Sequence, residues 1–468
     1  MAQERCFEKP YVASHIPHSN VGSYPLRYGN FISPLVDGEP AFRRICQAVE
    51  AARYSVWVTV AFIEMDFQMP DGRGSLFDVL ERAQARGLDV RVIFWRINDG
   101  AGFAEHTVFS GSSAHRSWLQ NRGSRFLARW DRAQKHYCHH QKTWLIDAGQ
   151  PSEIAFVGGI NLDKSSMVSP GHSSGDGPHT HDVYVEVRGP AATDVHHNFV
   201  QRWNEASERT LPDGGWPDGH SQSRLDFPRE LSAVAGQVTV QIQRTVRPGH
   251  YTDSTATPGG KPFPIQTGEL TLYDQYLKAI DAARRTIYIE NQALASLEIV
   301  QKLDAALARG VEVVFLMPAD ANAAMSQWRA RPQSKPFFDQ LAALGRHPNF
   351  TLAGIAAPGE DGALRKVYVH AKVALIDDSW ATIGSCNVAN RAFFGDTELN
   401  ASFWDPEVVR NLRCELLREH LAVDTSTLDD QSAFALYRNT ARDNLARYRI
   451  AGSLAGLVFA LDPATYAT

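Results

Sequence analysis

The stretch HHQKTWLID at residues 139 to 147 decides the fold, because it recurs as VHAKVALID at residues 369 to 377. Both copies carry a histidine, a lysine and an aspartate at the same relative positions within an apolar run. Each copy is followed by a second apolar run and a corner of small residues that ends in asparagine, GGIN at 158 to 161 and GSCN at 384 to 387. Landmarks that repeat in the same order indicate an internal duplication of the chain.

Two further pairs of segments repeat in the same order. AVEAAR at 48 to 53 matches AIDAAR at 279 to 284, and QARGLDVRVIF at 84 to 94 matches LARGVEVVFLM at 307 to 317. Their patterns predict helices followed by buried strands. The alternation predicts an α/β fold of two homologous α/β domains, each a mixed β-sheet flanked by helices. We expect the functional site at the pseudo-two-fold interface between them.

Composition divides the chain into four parts. We predict an N-terminal repeat over 1–211, a linker rich in Gly, Pro, Asp and Ser over 212–235, and a C-terminal repeat over 236–424. The remaining residues, 425–468, are predicted to form a helical extension that includes the apolar run at 450–461.

Charge and cysteine content exclude several classes of protein. The formal net charge is -5 and basic residues form no long blocks, so no nucleic-acid partner is expected. The 5 cysteines are far apart and form no C-x-x-C pair, which argues against a disulfide framework or a thiolate metal site. The first residues lack the pattern of a secretory signal, which predicts a cytoplasmic protein, although signal-independent export would leave the same start. The run at 450–461 is shorter than the roughly 20 residues of a membrane span, so peripheral membrane contact is expected instead.

The repeated histidines and lysines indicate chemistry at phosphorus. His140 and Lys142 are two residues apart on a strand and therefore share a face, as do His370 and Lys372. If the two copies meet, one imidazole is suited to attack phosphorus while the other protonates the leaving oxygen. The lysines would stabilise the oxygen charges, so no metal and no cofactor are expected. These residues alone leave open which histidine is the nucleophile.

The asparagine corners are predicted to complete the site. The amides of Asn161 and Asn387, with backbone N–H groups at Gly159 and Ser385, can form a cradle for the substrate's oxygens. The motif aspartates lie an odd number of residues beyond their histidines and so point to the opposite face of the strand. We therefore predict a structural role, capping the strand end and turn, for two residues: Asp147 and Asp377.

Other histidines and aromatic residues have less specific interpretations. Their spacing does not present the three or four converging ligands that zinc requires, so no metal site is expected. Adjacent His196 and His197 are predicted to be solvated on a helix. The Gly- and Ser-rich segment 164–180 is predicted to be a mobile loop over the site. Segment 322–340, with Trp328 and a Phe-Phe pair, fits either contact with lipid or an amphipathic helix with its aromatics in the core.

The motifs resemble those of a known family. HQKTWLID with GGIN, and HAKVALID with GSCN, are similar to the duplicated H-x-K-x4-D motif and its Gly/Ser-Asn element in the phospholipase D superfamily. The segments IYIENQ (287 to 292), VYVHAK (367 to 372) and HDVYVEVRGPAATDVHHNFVQRWN (181 to 204) look like segments of true phospholipases D. The resemblance extends over roughly residues 40 to 420. It departs at IENQAL, where the family commonly has an aromatic pair after the glutamine.

The resemblance implies roles for individual residues. His140 corresponds to the nucleophile that forms a phosphohistidine, and His370 to the general acid that later activates water or an alcohol. The family pattern assigns the acceptor that orients an imidazole to Glu398, and the matching residue of the first half is Asp182. The implied activity is hydrolysis of the distal phosphodiester bond of a glycerophospholipid to phosphatidic acid and a headgroup alcohol, with transphosphatidylation to other alcohols.

The resemblance also implies the partners. A phospholipid substrate, the membrane surface, and water or an acceptor alcohol are expected, and a monomer suffices because one chain supplies both motifs. Three alternatives remain open at this point: a phosphodiesterase or nuclease of the same superfamily, a phospholipid synthase, and a catalytically silent lipid-binding protein.

Overall fold

The structure is a computed structural model that describes residues 14–97, 109, 112–173, 177–207 and 224–468. Parts of three predicted segments lie outside the described residues. They are the start of the chain, positions 174–176 of the predicted loop, and positions 212–223 of the predicted linker.

The described part of the first half alternates strands and helices. Its elements are β1 Arg27–Val36, α1 Gly38–Ala51, β2 Ser55–Val60, β3 Gln68–Met69, β4 Gly74–Ser75, α2 Leu76–Ala85, β5 Asp89–Trp95, α3 Ser113–Arg122, β6 Leu127–Asp131, β7 Lys142–Ile146, β8 Ile154–Gly158, β9 Thr180–His181, β10 Val183–Arg188 and α4 Ala192–Glu205.

The second half repeats this order and then continues to the C-terminus. Its elements are β11 Val238–Val246, β12 Glu269–Leu270, α5 Thr271–Ala282, β13 Thr286–Asn291, β14 Leu294–Ala295, α6 Leu297–Ala308, β15 Glu312–Leu316, α7 Ala323–Arg329, α8 Lys335–Leu344, β16 Phe350–Pro358, β17 Leu364–Val369, β18 Lys372–Ile376, β19 Trp380–Gly384, β20 Val388–Ala389, α9 Asn390–Phe394, β21 Glu398–Trp404, α10 Pro406–Leu421, α11 Asp430–Arg449 and β22 Val458–Ala460.

Strand pairing confirms the predicted duplication. In the first half the neighbouring strands are β6, β5, β2, β7, β8, β10 and β1, in that order. In the second half β16, β15, β13, β18, β19, β21 and β11 follow the same order. The first three strands of each series are parallel and the others antiparallel, so each half is a mixed sheet, as expected for an α/β fold. The antiparallel pairing of β1 with β11 joins the two sheets.

The motif strands lie in the middle of each sheet and are buried on both faces. Every residue of β7 and of β18 is buried, because helices or the other half of the molecule cover both sides. One hydrophobic core includes side chains from both halves, among them Val185, Phe199 and Ala401. The ends of the two motif strands therefore meet inside the molecule rather than at its surface.

The prediction that His196 and His197 are solvated is wrong. Both side chains lie on α4, which is buried along nearly its whole length. His196 Nδ1 is 3.0 Å from a carboxylate oxygen of Glu153, and His197 Nε2 donates to the carbonyl of Thr255 at 2.8 Å. Adjacent helical residues do point in different directions, but here neighbouring segments cover both directions.

The predicted helical extension is only partly correct. The helix α11 ends at Arg449, and the apolar run continues into β22, which pairs antiparallel with β16. Gly456 has a φ of 74°, and a side chain there would meet the backbone of Leu421. This turn redirects the chain, and Phe459 of β22 then stacks on Tyr448 with ring centroids 4.0 Å apart.

The aromatic residues of segment 322–340 belong to the core. Phe337 and Phe338 are buried in α8, and Trp328 packs on them with ring centroids 4.7 and 5.2 Å away. This outcome favours the amphipathic-helix interpretation over direct lipid contact. Within the described ranges, no helix is both long and apolar enough to cross a bilayer.

The strand at the C-terminus can be tested with two substitutions in the same apolar run. Phe459 is 2% exposed and Ile450 is 81% exposed. We expect Phe459→Ala to lower the free energy of unfolding by about 3 kcal/mol, because it leaves a cavity between β22 and α11. Ile450→Ala should change it by less than about 0.5 kcal/mol. Urea denaturation followed by circular dichroism measures both, and equal effects would contradict the strand assignment.

Candidate active site

The two motif histidines meet where the halves join. One residue separates His140 from the start of the first motif strand, and one residue separates His370 from the start of the second. Their ring centroids are 6.4 Å apart, with an interplanar angle of 71°. The backbone N–H of His140 donates to the carbonyl of Thr397 at 2.9 Å, and that of His370 donates to the carbonyl of His181 at 2.8 Å. Each histidine is thus held in place by the backbone of the other half.

The tautomer of His140 follows from its hydrogen bonds. Its Nδ1 lies 2.9 Å from the carbonyl oxygen of Ser385 and 3.0 Å from a carboxylate oxygen of Glu398. A carbonyl oxygen only accepts hydrogen bonds, so Nδ1 carries the proton and Nε2 presents a lone pair. The Ser385 hydroxyl donates to the same Glu398 carboxylate and holds it in position.

His370 is oriented by a carboxylate from the first half. Its Nδ1 lies 2.6 Å from Asp182 Oδ2, and the other carboxylate oxygen of Asp182 accepts from the backbone N–H of Val183 at 2.8 Å. The orienting carboxylates therefore cross between the halves: Glu398 of the second half holds His140 of the first, and Asp182 of the first holds His370 of the second.

Both motif lysines are buried beside the histidines. Lys142 Nζ donates to the carbonyl of His140 at 2.9 Å. Lys372 Nζ donates to the carbonyl of His370 and lies 3.3 Å from the side-chain oxygen of Gln292. Burial lowers the pKa of both ammonium groups, and the pKa of Lys372 falls to about 7, with repulsion from Lys142 as a further cause.

Burial also shifts the acids and imidazoles of the site. It raises the pKa of Asp182 to about 6 and that of Glu398 to about 8. The pKa of each motif imidazole lies well below its usual range, first because of burial and then because of repulsion from the two lysines. The site is thus a low-dielectric pocket in which the charge state of each lysine, carboxylate and imidazole depends on the others. Such coupling is common in catalytic centres.

The asparagine corners border this pocket. Asn161 and Asn387 each have a buried side-chain oxygen that makes no hydrogen bond within the described residues. Gly159 lies against the Asp182 carboxylate, and a side chain at this position would collide with it. Gly159 and Ser385 therefore contact the orienting carboxylates, while their predicted contact with substrate stays a prediction.

The motif aspartates lie away from the imidazoles. Asp147 Oδ1 accepts from the backbone N–H groups of Arg53, Tyr54 and Ser55 at 2.8 to 3.2 Å, which fixes the start of β2. Asp377 makes the equivalent bonds, each 2.8 Å long, with three backbone N–H groups at the start of β13: those of Arg284, Arg285 and Thr286.

Several pocket residues were not identified as candidates from the sequence. The ring centroid of Phe62 lies 5.9 Å from Lys142 Nζ, and the Tyr368 ring stacks beside His370 at 6.3 Å. Gln292 donates to the hydroxyl of Tyr368 at 2.9 Å. Gln292 and Tyr368 stand within the resembling segments IENQ and VYVHAK, which was a usable signal, whereas Phe62 lies in an ordinary apolar run with no distinguishing pattern.

The groups that could hold a metal ion lie outside this pocket. Among the described residues, three clusters bring histidines and carboxylates within 4.8 Å of one another, and none includes His140 or His370. The pocket itself contains two ammonium groups, which would repel a divalent cation.

Comparison with known proteins agrees with this geometry. A family described as "Cardiolipin synthase, PLD-like domain" matches residues 45–203 and 276–419, and one described as "Phospholipase D" matches residues 166–298. The chain is 23% identical to phospholipase D alpha 1 of Ricinus communis, over 92% of this chain and 69% of that relative. It is 26% identical to cardiolipin synthase A of Pseudomonas entomophila, over 80% of this chain and 65% of that relative.

A solved structure has the same fold. The crystal structure of phosphatidylserine synthase from Haemophilus influenzae Rd KW20 superposes with a TM-score of 0.56 over 90% of this chain and 94% of that one, at 12% identity. The first family covers more than half of the chain, and its two matches fall on the two halves that the strand order defines. The chain therefore belongs to the phospholipase D superfamily.

Proposed function

We propose that the protein is a phospholipase D, which hydrolyses the distal phosphodiester bond of a glycerophospholipid to phosphatidic acid and a headgroup alcohol. The observation that carries this proposal is the facing pair of histidines, 6.4 Å apart, each oriented by a carboxylate and flanked by a buried lysine. With the ring centroids this close, a single phosphodiester group can contact both imidazoles at once.

The first step would form a covalent intermediate. His140 Nε2 attacks phosphorus with its lone pair, and the bond from phosphorus to the headgroup oxygen breaks. The departing oxygen takes the proton that His370 Nε2 holds, so the headgroup leaves with a hydroxyl group and not as an alkoxide. Glu398 supports the positive charge that develops on His140. Lys142 and Lys372 stabilise the charge on the oxygens that remain on phosphorus.

The second step would transfer the phosphatidyl group from His140 to water, with His370 now acting as a base. Water enters the position of the departed alcohol and gives a proton to His370 as its oxygen attacks phosphorus. The bond from phosphorus to His140 Nε2 then breaks, releasing phosphatidic acid. An alcohol in place of water would give a new phosphatidyl ester, which is transphosphatidylation.

The two histidines differ in a way that supports this assignment of roles. The carbonyl oxygen of Ser385 keeps a proton on Nδ1 of His140, as a nucleophile requires. His370 Nδ1 faces a carboxylate alone, and this negative partner favours the protonated ring that a general acid needs. Burial and the lysines lower the pKa of both rings, and an anionic phosphodiester bound between the lysines would raise it again.

Lipid rather than nucleic acid is the substrate class that the observations favour. The net charge is -5, and the relatives reported above are named as a phospholipase D, a cardiolipin synthase and a phosphatidylserine synthase. The match to the cardiolipin-synthase family over both halves favours a second candidate, a phospholipid synthase. That enzyme would use the same intermediate but resolve it with the hydroxyl of a second substrate. Contact with the membrane surface and activity as a monomer are part of the same proposal.

Product analysis tests the reaction. We expect purified protein and phosphatidylcholine or phosphatidylethanolamine vesicles to give phosphatidic acid, joined by phosphatidylethanol when ethanol is added. Phosphatidylglycerol vesicles that give cardiolipin in excess of phosphatidic acid would favour the synthase. Cleavage of DNA without a reaction on any lipid would contradict both, and would move the substrate to another phosphodiester.

The assignment of roles can be tested with a substrate whose leaving group needs no acid. With phosphatidyl-p-nitrophenol, His370→Ala should release about one equivalent of nitrophenol in a burst and then stall, because the intermediate forms but no base activates water. His140→Ala should give no burst.

A surface histidine provides the control for this experiment. His347→Ala, which alters a histidine paired with Asp304, should turn over normally. A burst from His140→Ala and none from His370→Ala would reverse the assignment. Stopped-flow absorbance measures all three variants.

The pKa shifts predict a bell-shaped pH profile. Activity should rise as pH passes about 6, where Asp182 becomes ionised, and fall as pH passes about 7, where Lys372 loses its positive charge. Lys372→Arg should move the falling limb to higher pH, because a guanidinium stays protonated.

The profile is measured as kcat/KM on a soluble short-chain phospholipid. The control is Lys366→Arg, which changes an exposed lysine paired with Asp320 and should leave both limbs in place. An unshifted alkaline limb in Lys372→Arg would show that another group sets it.

The close approach of Gly159 to Asp182 gives a further prediction. Gly159→Ala should lower kcat on the order of tenfold or more, because its Cβ would displace the carboxylate that orients His370. Gly177→Ala is the matched control, since a Cβ there meets nothing within 4 Å. Steady-state kinetics on the same lipid compare the two, and equal kcat values would contradict the orienting role of Asp182.

A further inference from the structure

The two halves present different side chains at equivalent positions beside the motif histidines. Side chains alternate along an extended chain, so the residue two positions before each histidine lies on the same side as that histidine. This residue is Cys138 in the first half and Tyr368 in the second. Cys138 is 4% exposed and packs in a small apolar cluster with Phe62 and Trp95, whereas Tyr368 is partly exposed and stacks beside His370. The symmetry of the two halves is therefore broken at the wall of the pocket.

A second pair of equivalent positions differs in the same way. The strands β2 and β13 pair with the two motif strands in the same register, and the chain then forms matching parallel bridges at Ile63 and Leu294. Counting back from these bridges, Phe62 of the first half corresponds to Ala293 of the second, and the alanine before Phe62 corresponds to Gln292. The first half thus gives the pocket an apolar wall, and the second half gives it a polar one.

The hydrogen bonds of Gln292 determine which group Tyr368 presents to the pocket. An ammonium group can only donate, and Lys372 Nζ lies 3.3 Å from Gln292 Oε1. The amide nitrogen of Gln292 therefore faces the other way, and it donates to the hydroxyl oxygen of Tyr368 at 2.9 Å. Within the described ranges, no group accepts the proton of the Tyr368 hydroxyl. Tyr368 thus offers a hydrogen-bond donor to a bound substrate.

The roles proposed above for the histidines put the headgroup against the polar wall. In-line displacement sets the leaving oxygen opposite the attacking nitrogen of His140, so the headgroup departs beside His370. The ring of Tyr368 lies 6.3 Å from that of His370. The phosphatidyl group stays on His140, whose ring lies 6.2 Å from that of Phe62. The two walls therefore match the two ends of a phospholipid.

The chemistry of the polar wall favours a headgroup that carries hydroxyl groups. A hydroxyl oxygen can accept the proton that Tyr368 offers, whereas a trimethylammonium group can neither accept nor donate. A choline headgroup would leave the Tyr368 donor without a partner in the complex, which weakens binding. Its positive charge would also be repelled by the nearby ammonium groups of Lys142 and Lys372. A neutral headgroup such as glycerol has neither disadvantage.

We propose that Tyr368 and Gln292 form the headgroup subsite and select a hydroxylated headgroup such as glycerol over choline, while Phe62 and Trp95 line the side that receives the diacylglycerol. This inference rests on the phospholipase D activity proposed above. The same subsite would hold the acceptor alcohol in transphosphatidylation, because the acceptor enters where the headgroup has left. Glycerol should therefore also be a better acceptor than choline.

Headgroup preference tests the polar wall. The measurement is kcat/KM for the release of glycerol or choline from soluble short-chain phosphatidylglycerol and phosphatidylcholine. We expect wild-type protein to favour phosphatidylglycerol by about tenfold or more, the value of one hydrogen bond. Tyr368→Phe should lower the phosphatidylglycerol value about tenfold and change the phosphatidylcholine value by less than about twofold. Tyr273→Phe is the matched control, since it removes a hydroxyl that donates to Glu298 away from the pocket, and it should keep both values.

A substitution on the apolar wall tests the orientation of the lipid. Phe62→Leu should lower both kcat/KM values by the same factor, because the two lipids share the diacylglycerol that this wall contacts. A wild-type preference for phosphatidylcholine, or a preference that Tyr368→Phe leaves unchanged, would overturn the inference. A preference that changes in Phe62→Leu but not in Tyr368→Phe would do the same, because it would reverse the orientation.

Binding without turnover separates this inference from the proposed activity. In calorimetric titrations of His140→Ala, glycerophosphoglycerol should bind at least about fivefold more tightly than glycerophosphocholine, and adding Tyr368→Phe should remove the difference. Equal affinities, or no binding of either diester, would overturn the headgroup subsite whether or not lipid is hydrolysed. A retained binding preference without phosphatidic acid from any lipid would overturn the proposed hydrolysis and support the subsite.

Discussion

The structure depends on two hydrogen bonds that cross between its halves. Glu398 of the second half holds Nδ1 of His140, and Asp182 of the first half holds Nδ1 of His370. A bond from a charged group to a buried imidazole is strong only if both partners are fixed and water is excluded. The shared core and the pairing of β1 with β11 meet this condition by holding the two sheets together along one edge.

Burying so many ionisable groups in one place costs free energy, and neighbouring groups in the fold offset part of that cost. The two lysines, two carboxylates and two imidazoles each lose hydration, and each regains part of it from a neighbour of suitable charge or polarity. The lysine ammonium groups donate to backbone carbonyls of the histidines, so the motif supplies its own partners. The pKa shifts at the site result from the balance between the lost hydration and the new contacts. They keep several groups near their titration points at neutral pH, where proton transfer is easiest.

Much of this arrangement could be predicted from the sequence, because it is a property of the repeats. The duplication, the mixed sheets and the shared direction of His140 and Lys142 all follow from local patterns with a fixed period. The crossed pairing of the carboxylates, the burial of His196 and the return of the last strand do not, because each depends on segments that meet only in three dimensions. The role of Phe62 likewise depends on what packs against it and not on its own neighbours in sequence.

The hydrogen bond from His140 to the carbonyl of Ser385 has a consequence for the evolution of the chain. In a symmetric dimer of identical subunits, the two facing histidines would have the same surroundings, and neither could be specialised for one step. Joining the copies in one chain frees each half to change alone. Here the second half has serine where the first has Gly159, and glutamate where the first has Asp182. The Ser385 hydroxyl donates to Glu398, whereas glycine offers Asp182 no such donor, so the two orienting carboxylates have different surroundings. Two copies joined in one chain can therefore give their histidines different surroundings, which two identical subunits cannot.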